Sequence, residues 1–232
     1  MAPVSESPIL ALGEALVEFM PPIGETMRSG HHWQKFAGGG PATYAAACVR
    51  LGRAASLLSL VGEDPFSDYM LDALQQEGVD TAHIGRRPGR QIGLCYHECI
   101  DGETSLTFHR HDSAATTLSP SDIDADLITH AAALHVPGTT MQISDSALET
   151  SLQAMRWASE AKIPVGFDPN IRAILGGTQT SQAMEEGLAM ADVVTPTIEE
   201  ATAITGCSEP VQAARELQAR GARFVAVTLA SD

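Results

Sequence analysis

Aromatic residues are scarce, making up 5% of the 232 residues. The interior must therefore be filled by aliphatic and small side chains. Alanine is plentiful, which suits helices packed closely on a sheet. Positive charge is scarce too: 14 Lys and Arg stand against 29 Asp and Glu, a net charge of -15. That balance repels phosphate backbones and anionic lipid surfaces, so nucleic acid and membrane are excluded as expected partners. An anionic substrate would need a local cluster of basic side chains. No apolar run approaches the length of a membrane span, and the N-terminal residues 1–7 lack the basic segment and apolar core of a signal peptide. The four cysteines, Cys48, Cys95, Cys99 and Cys207, form no CxxC pair and read as free thiols of a reducing compartment. The expectation is a cytoplasmic protein. Also missing are a GxxxxGK[ST] loop, a GxGxxG after a strand, an HExxH and a GxSxG.

Apolar residues make up 44% of the chain and charged residues 19%, enough for a packed core. Strand and helix patterns alternate. Residues 9–13 read as a buried strand, 41–51 as a helix opened by Pro41 and stopped by Gly52, 55–61 as a strand and 65–76 as a helix before Gly78. A strand at 132–136, a helix at 144–161, strands at 163–167 and 193–194, helices at 198–205 and 211–220 and a last strand at 224–229 continue the series. This order predicts an α/β fold, a mostly parallel sheet with helices on both faces. One insertion breaks it. Residues 93–100 and 103–111 are strand-like and joined by Asp101-Gly102, a two-residue hairpin turn. That turn sets 97 opposite 106 and 95 opposite 108, so Cys95, His97, Leu106, Phe108 and Arg110 share one face. With the stretch from Ala15 to Phe36 it predicts a small β lid, formed by segments at about 15–36 and 91–112 of one α/β domain.

Four segments carry chemistry. Phe167-Asp168-Pro169-Asn170-Ile171-Arg172 closes a buried strand with an acid, an amide and a guanidinium at its carboxyl end, where open α/β sheets hold ligands; a polar turn would read the same way. Gly38-Gly39-Gly40-Pro41 opens a helix with backbone N–H groups that a ligand can approach closely. Phe108 to Ala115 sets Arg110 at the end of a lid strand; a charged edge strand is the structural alternative. Thr197 and Glu200 form a capping box, and Glu200 is also suited to a hydrated Mg²⁺. The pairs His31-His32 and His109-x-His111 lack a further metal ligand.

Together these segments resemble the ribokinase-like (PfkB) carbohydrate kinases, in the right order along essentially the whole chain. Residues 13–18, Gly-Glu-Ala-Leu-Val-Glu, resemble the family's first strand and sugar-contacting acid, and residues 38–42 its glycine signature. Residues 167–172 resemble the DPNxR segment of fructokinases and 2-keto-3-deoxygluconate kinases, residues 196–200 the PNxxE segment, and residues 227–229 the nucleotide-binding strand. The resemblance implies transfer of the γ-phosphoryl of ATP, with Mg²⁺, to a sugar hydroxyl. It assigns Glu18, Gly38, Gly39, Thr43, Phe108, Arg110 and Arg172 to the sugar, Asn170, Arg172, Thr197 and Thr228 to nucleotide, and Glu200 to the metal. Two cations suit a carboxylate, so Arg110 and Arg172 favour 2-keto-3-deoxygluconate, with fructose next. The resemblance also implies pairing of two copies through the lid.

Departures from the pattern are equally specific. Thr43 and Thr197 stand where asparagine is usual, Glu18 where aspartate is commoner, and Ala230 where glycine is usual. The tyrosines of the ketodeoxygluconate kinases near Cys95 and Phe108 are absent. The family's GAGD-type segment, which supplies the anion hole and the catalytic Asp, is expected beyond Asp232. The residues up to Asp232 are thus expected to be an incomplete domain that lacks turnover alone. A sugar-binding module without chemistry is the alternative of another class.

Overall fold

A computed structural model describes residues 7–171 and 178–229. The chain enters as β1 (Ile9–Leu12), crosses into β2 (Leu16–Met20) and β3 (Gln34–Gly38), and returns through α1 (Gly40–Arg50) to β4 (Ala55–Val61). Then come α2 (Pro65–Gln76), β5 (Ile84–Arg86) and the hairpin of β6 (Gly93–Ile100) and β7 (Glu103–His109). Two short 3₁₀ turns lead to α3 (Ala125–Thr129), β8 (Ala133–Pro137), α4 (Gly138–Met141), α5 (Asp145–Glu160) and β9 (Val165–Asp168). The described part finishes with α6 (Thr178–Met190), β10 (Val193–Val194), α7 (Ile198–Thr205), α8 (Pro210–Ala219) and β11 (Phe224–Val225).

The helices begin where local chemistry favours it. Asp64 accepts from the backbone N–H groups of Phe66 and Ser67 at the start of α2, with Pro65 as first helical residue. Ser144 caps α5. Gly206, at φ 77°, ends α7 in the left-handed conformation. Strand β4 is buried along its whole length, its two serines Ser56 and Ser59 included, as an interior strand of a parallel sheet requires.

The main sheet has seven strands in the order β11-β10-β9-β8-β1-β4-β5, and every pairing in it is parallel. The chain builds outward from β1 through β4 to β5, then restarts at β8 and builds the other way. The switch point therefore lies between β1 and β8, and the crevice at their carboxyl ends is where such sheets hold ligands. The second sheet has four strands, β3-β2-β6-β7. Its hairpin pairs Cys95 with Phe108 and His97 with Leu106, the register read from the sequence. Asp101 and Gly102 both have positive φ, 52° and 84°, as that tight turn demands. Phe19 and Tyr96 stack across it at 5.4 Å, and Phe19 meets Phe66 of α2 edge-on at 5.5 Å, so scarce aromatics fasten this sheet to the body.

Cover of the main sheet is uneven. One face is packed throughout by a cluster that includes Leu10, Leu134, Val136, Phe167, Met155, Leu188 and Leu217. The other is covered by α1 and α2 over β1 and β4, through Ala11, Leu57, Ala45 and Met70. Along one row in register, Leu57, Ala11, His135, Gly166, Val193 and Phe224, exposure rises away from α1 until Phe224 is 59% exposed. The expectation of helices on both faces thus holds for the half around β1 and β4. Beyond β8, among the described residues, a cleft of about 550 Å³ lined by Tyr44, His135, Gly166 and Val193 opens instead.

At the border of that cleft the His135 ring stacks on Tyr44 at 3.8 Å and 12°. Burial pushes its pKa down to about 4 from the ordinary 6.5. Between these values the unfolded chain takes up a proton that the folded chain refuses. The stability His135 contributes is therefore complete above about pH 6.5 and is lost as pH falls towards about 4, by roughly 3 kcal/mol in all. Replacing His135 with Leu should flatten the decline in melting temperature across this window relative to the parent chain. Equal slopes for the two proteins would contradict this.

Candidate functional site at the carboxyl edge of the sheet

Two groups of side chains gather along the carboxyl edge. The first lies under the second sheet. Beyond β1 the chain turns at Gly13 and runs through Glu14 into β2. The junction of β3 and α1, Gly38-Gly39, packs against this turn. A methyl at Gly39, whose φ is +94°, would sit 2.5 Å from the Glu14 carbonyl oxygen, and one at Gly38 would overlap the Glu18 carboxylate. Only glycine allows this approach. The Gly39 N–H donates to Glu18 Oε1 at 3.3 Å, and Glu18 Oε2 lies 3.2 Å from His97 Nε2.

Arg110 follows the end of β7. Its Nη1 donates to Glu14 Oε2 at 2.7 Å, with the two side chains only 10% and 6% exposed, and its guanidinium lies 4.3 Å from the centre of the Phe108 ring. Burial raises the Glu14 pKa above the ordinary carboxylate value, against the lowering effect of the Arg110 charge and hydrogen bond and of the Ser113 hydroxyl. Arg110 therefore comes to the site already partnered by an acid. Phe108 and Arg110 line a cleft of about 710 Å³ together with Thr116, Thr117 and Gln142. Thr43 stands one turn into α1, its N–H on the Gly39 carbonyl at 2.9 Å; it is exposed and lines the grooves on either side of that helix.

The second group surrounds the ends of β9, β10 and β11. Asn170, at φ 39°, donates from Nδ2 to Asp168 at 3.2 Å. Glu200 joins two segments: its Oε2 accepts from the Thr197 N–H at 2.9 Å, completing the capping box, and its Oε1 accepts from the Ile171 N–H at 2.7 Å. Thr197 and Thr228 are bridged as parallel neighbours, with the Ile198 N–H on the Thr228 carbonyl at 3.0 Å. Asn170, Thr197, Glu200 and Thr228 thus meet at one edge. Arg172 and Ala230 lie outside the described residues. Among the described residues, no cluster of three or more His, Cys, Asp or Glu side chains could hold a metal directly. Glu200 keeps lone pairs beyond the two backbone bonds, so it fits an Mg²⁺ ion held through water. The Thr197 hydroxyl, which accepts from the Glu200 N–H, and the Asn170 amide keep a hydrogen to donate, whereas the Thr228 hydroxyl turns to the Pro196 carbonyl at 3.5 Å.

Two residues that sequence reasoning left without a role join these groups. Glu14 pairs with Arg110; an acid directly after a buried strand was the available signal. Gln142, between α4 and α5, lines the cleft beside Arg110 and donates from Nε2 to the Asn170 carbonyl at 3.1 Å and the Gly138 carbonyl at 2.9 Å. Nothing in its local sequence marks it.

Comparison with known proteins gives this arrangement a context. A family model described as pfkB family carbohydrate kinase matches residues 8–232. A 2-dehydro-3-deoxygluconokinase of Thermoproteus tenax is 32% identical over 170 residues, 72% of this chain and 51% of that protein. A PfkB protein from Polaromonas sp. JS666 superposes with a TM-score of 0.90 at 27% identity, over 97% of this chain and 77% of that one. A fructokinase of Xylella fastidiosa with bound ATP gives a TM-score of 0.82 at 27% identity, over 97% and 73%. The chain spans about half the length of the curated relative it matches.

The cross-link through Glu200 is testable by itself. Glu200→Ala removes the acceptor of two backbone N–H groups and should lower the unfolding free energy by about 2 kcal/mol in urea titrations. Substitution of its exposed neighbour, Glu199→Ala, should change it by less than about 0.5 kcal/mol.

Proposed function

The chain belongs to the pfkB family of carbohydrate kinases, and from that premise we propose that it carries the sugar-facing and nucleotide-facing side chains of an ATP-dependent sugar kinase. The observation that carries the reading is Gln142. One side chain lines the cleft of Phe108 and Arg110 and also bonds the Asn170 carbonyl of the second group. An acceptor sugar in that cleft would stand next to whatever the second group holds, the proximity that phosphoryl transfer requires.

In this reading Phe108 presents an apolar face to the sugar carbons, while Glu18 and the Gly38-Gly39 backbone bond its hydroxyls. Arg110 donates from the edge that Glu14 leaves free. Asn170, Thr197 and Thr228 orient the phosphates of a nucleotide, Arg172 meets the transferring group, and Glu200 steadies the hydration shell of Mg²⁺. ATP with Mg²⁺ supplies the phosphoryl group and part of the neutralising charge. The protein adds position and fixed dipoles. The substrate is 2-keto-3-deoxygluconate or fructose. Because Arg110 is already paired with Glu14, its charge is a weaker argument for a sugar carboxylate, and a neutral ketose stands on equal footing.

Calorimetry separates the two halves. Glu18→Ala should weaken sugar binding roughly tenfold or more and leave ATP affinity unchanged, whereas Thr228→Ala should do the reverse. A protein that binds neither ligand, or variants that lose both together, would contradict this reading.

A further inference from the structure

Glu14 is the one carboxylate-bearing residue buried among the described residues, and it is only half bonded. Its Oε2 holds Arg110 and the Ser113 hydroxyl stands close enough to act on its carboxyl, but Glu14 Oε1, Arg110 Nη2 and Ser113 Oγ make no hydrogen bond of normal geometry and have no exposed surface. A buried polar atom left short of a partner is costly, and three such atoms in one place require an explanation. Arrangement of the surrounding residues argues against accident. A methyl at Gly93 would come within 2.8 Å of Oε1 and 3.1 Å of Arg110 Cβ, so only glycine lets the start of β6 lie this close to the pair. The set is also chemically balanced: Oε1 accepts, Nη2 donates, and the serine hydroxyl does either. Neighbouring hydroxyls of a sugar carry the same alternation of donors and acceptors.

We infer that Glu14 is a positioning residue of the sugar site: it fixes Arg110 at the end of the lid strand so that Nη2, with Oε1 and the Ser113 hydroxyl, is completed by adjacent hydroxyls of the bound sugar. This rests on the kinase reading of the cleft. The three atoms lie under the end of β7 and the start of β6, so the group is completed as that end of the second sheet shifts to admit the sugar. The guanidinium, already in line with the Phe108 ring, needs Glu14 to keep its free edge turned to the cleft. Without the acid, Arg110 is a long, flexible cation with several rotamers available.

The test is calorimetric titration of D-fructose and of 2-keto-3-deoxygluconate into the full chain and its variants, with melting curves as the check on folding. Glu14→Gln and Arg110→Gln should each weaken binding of the preferred sugar roughly 10- to 100-fold, with ATP affinity unchanged. The double variant should bind no more weakly than the weaker single one, because the two residues act as a unit. Losses that multiply in the double variant would overturn the inference, since a general structural role for Glu14 gives independent effects. If Glu14→Gln does not fold, Glu14→Asp keeps the charge but shortens the reach, and the same non-additivity with Arg110→Gln is expected. Binding that the Glu14 variants leave unchanged overturns this inference alone. Failure of the unaltered chain to bind either sugar overturns the kinase reading and the inference with it.

Discussion

One buried ion pair, Glu14 with Arg110, ties the second sheet to the edge of the first. Glu14 belongs to the turn leaving β1, an interior strand of the seven, and Arg110 follows the strand that ends the β6–β7 hairpin. Taking both charges out of water is expensive, and the raised pKa of Glu14 shows that burial outweighs the attraction of its partner. The pair is therefore weak evidence for stability. Its value is geometric: a bond 96 residues apart in sequence sets where the lid ends and which way a guanidinium points. Either charge left alone in that interior would be worse than the pair, so the two residues depend on each other.

Around this pair the packing is made of residues without side chains. Gly38, Gly39 and Gly93 let two sheets and a helix converge on one turn, with Glu18 folded over the first two and Glu14 beside the third. Close backbone approach explains why the sequence concentrates glycine at the start of α1. The scarce aromatics serve the lid from its other side, where Phe19, Tyr96 and Phe66 hold it against α2. The site is thus roofed by a sheet fastened on one face by rings and at its end by a single ion pair.

Much of this was legible in the sequence. Strand β4 and helix α2 have the bounds that their apolar runs and flanking Pro and Gly predict. The lid hairpin has the register that Asp101-Gly102 imposes, and the Thr197–Glu200 capping box is formed. Local signals decide these features. Helix α6 was missed because its first turn, Thr178-Gln179-Thr180-Ser181, is made of weak helix formers, and tertiary packing of Ala183, Met184 and Leu188 holds it. Strands β2 and β3 were foreseen only as a stretch, since their pairing is set by a sheet assembled from distant segments. The contacts of Glu14 and Gln142 were illegible for the same reason: their partners lie 96 and 28 residues away, and no local spacing encodes them. Thr43 keeps its place in the motif, exposed one turn into α1.

The two groups at the sheet edge divide the work by their charge. Under the second sheet the charged groups have partners: Glu14 and Arg110 hold each other, Arg110 also lies over the Phe108 ring, and Glu18 accepts from the Gly39 N–H. Such a surface suits an uncharged polyol, whose hydroxyls both donate and accept. At the other end, Glu200 spends its oxygens on the backbone of two segments, which fixes Asn170, Thr197 and Thr228 relative to one another but limits its own action on a cation to water. A kinase gains little from covalent participation and much from holding two reactants still. Gln142, which lines the cleft of Arg110 and is bonded to the carbonyl groups of Gly138 and Asn170, is the side chain that the two groups have in common.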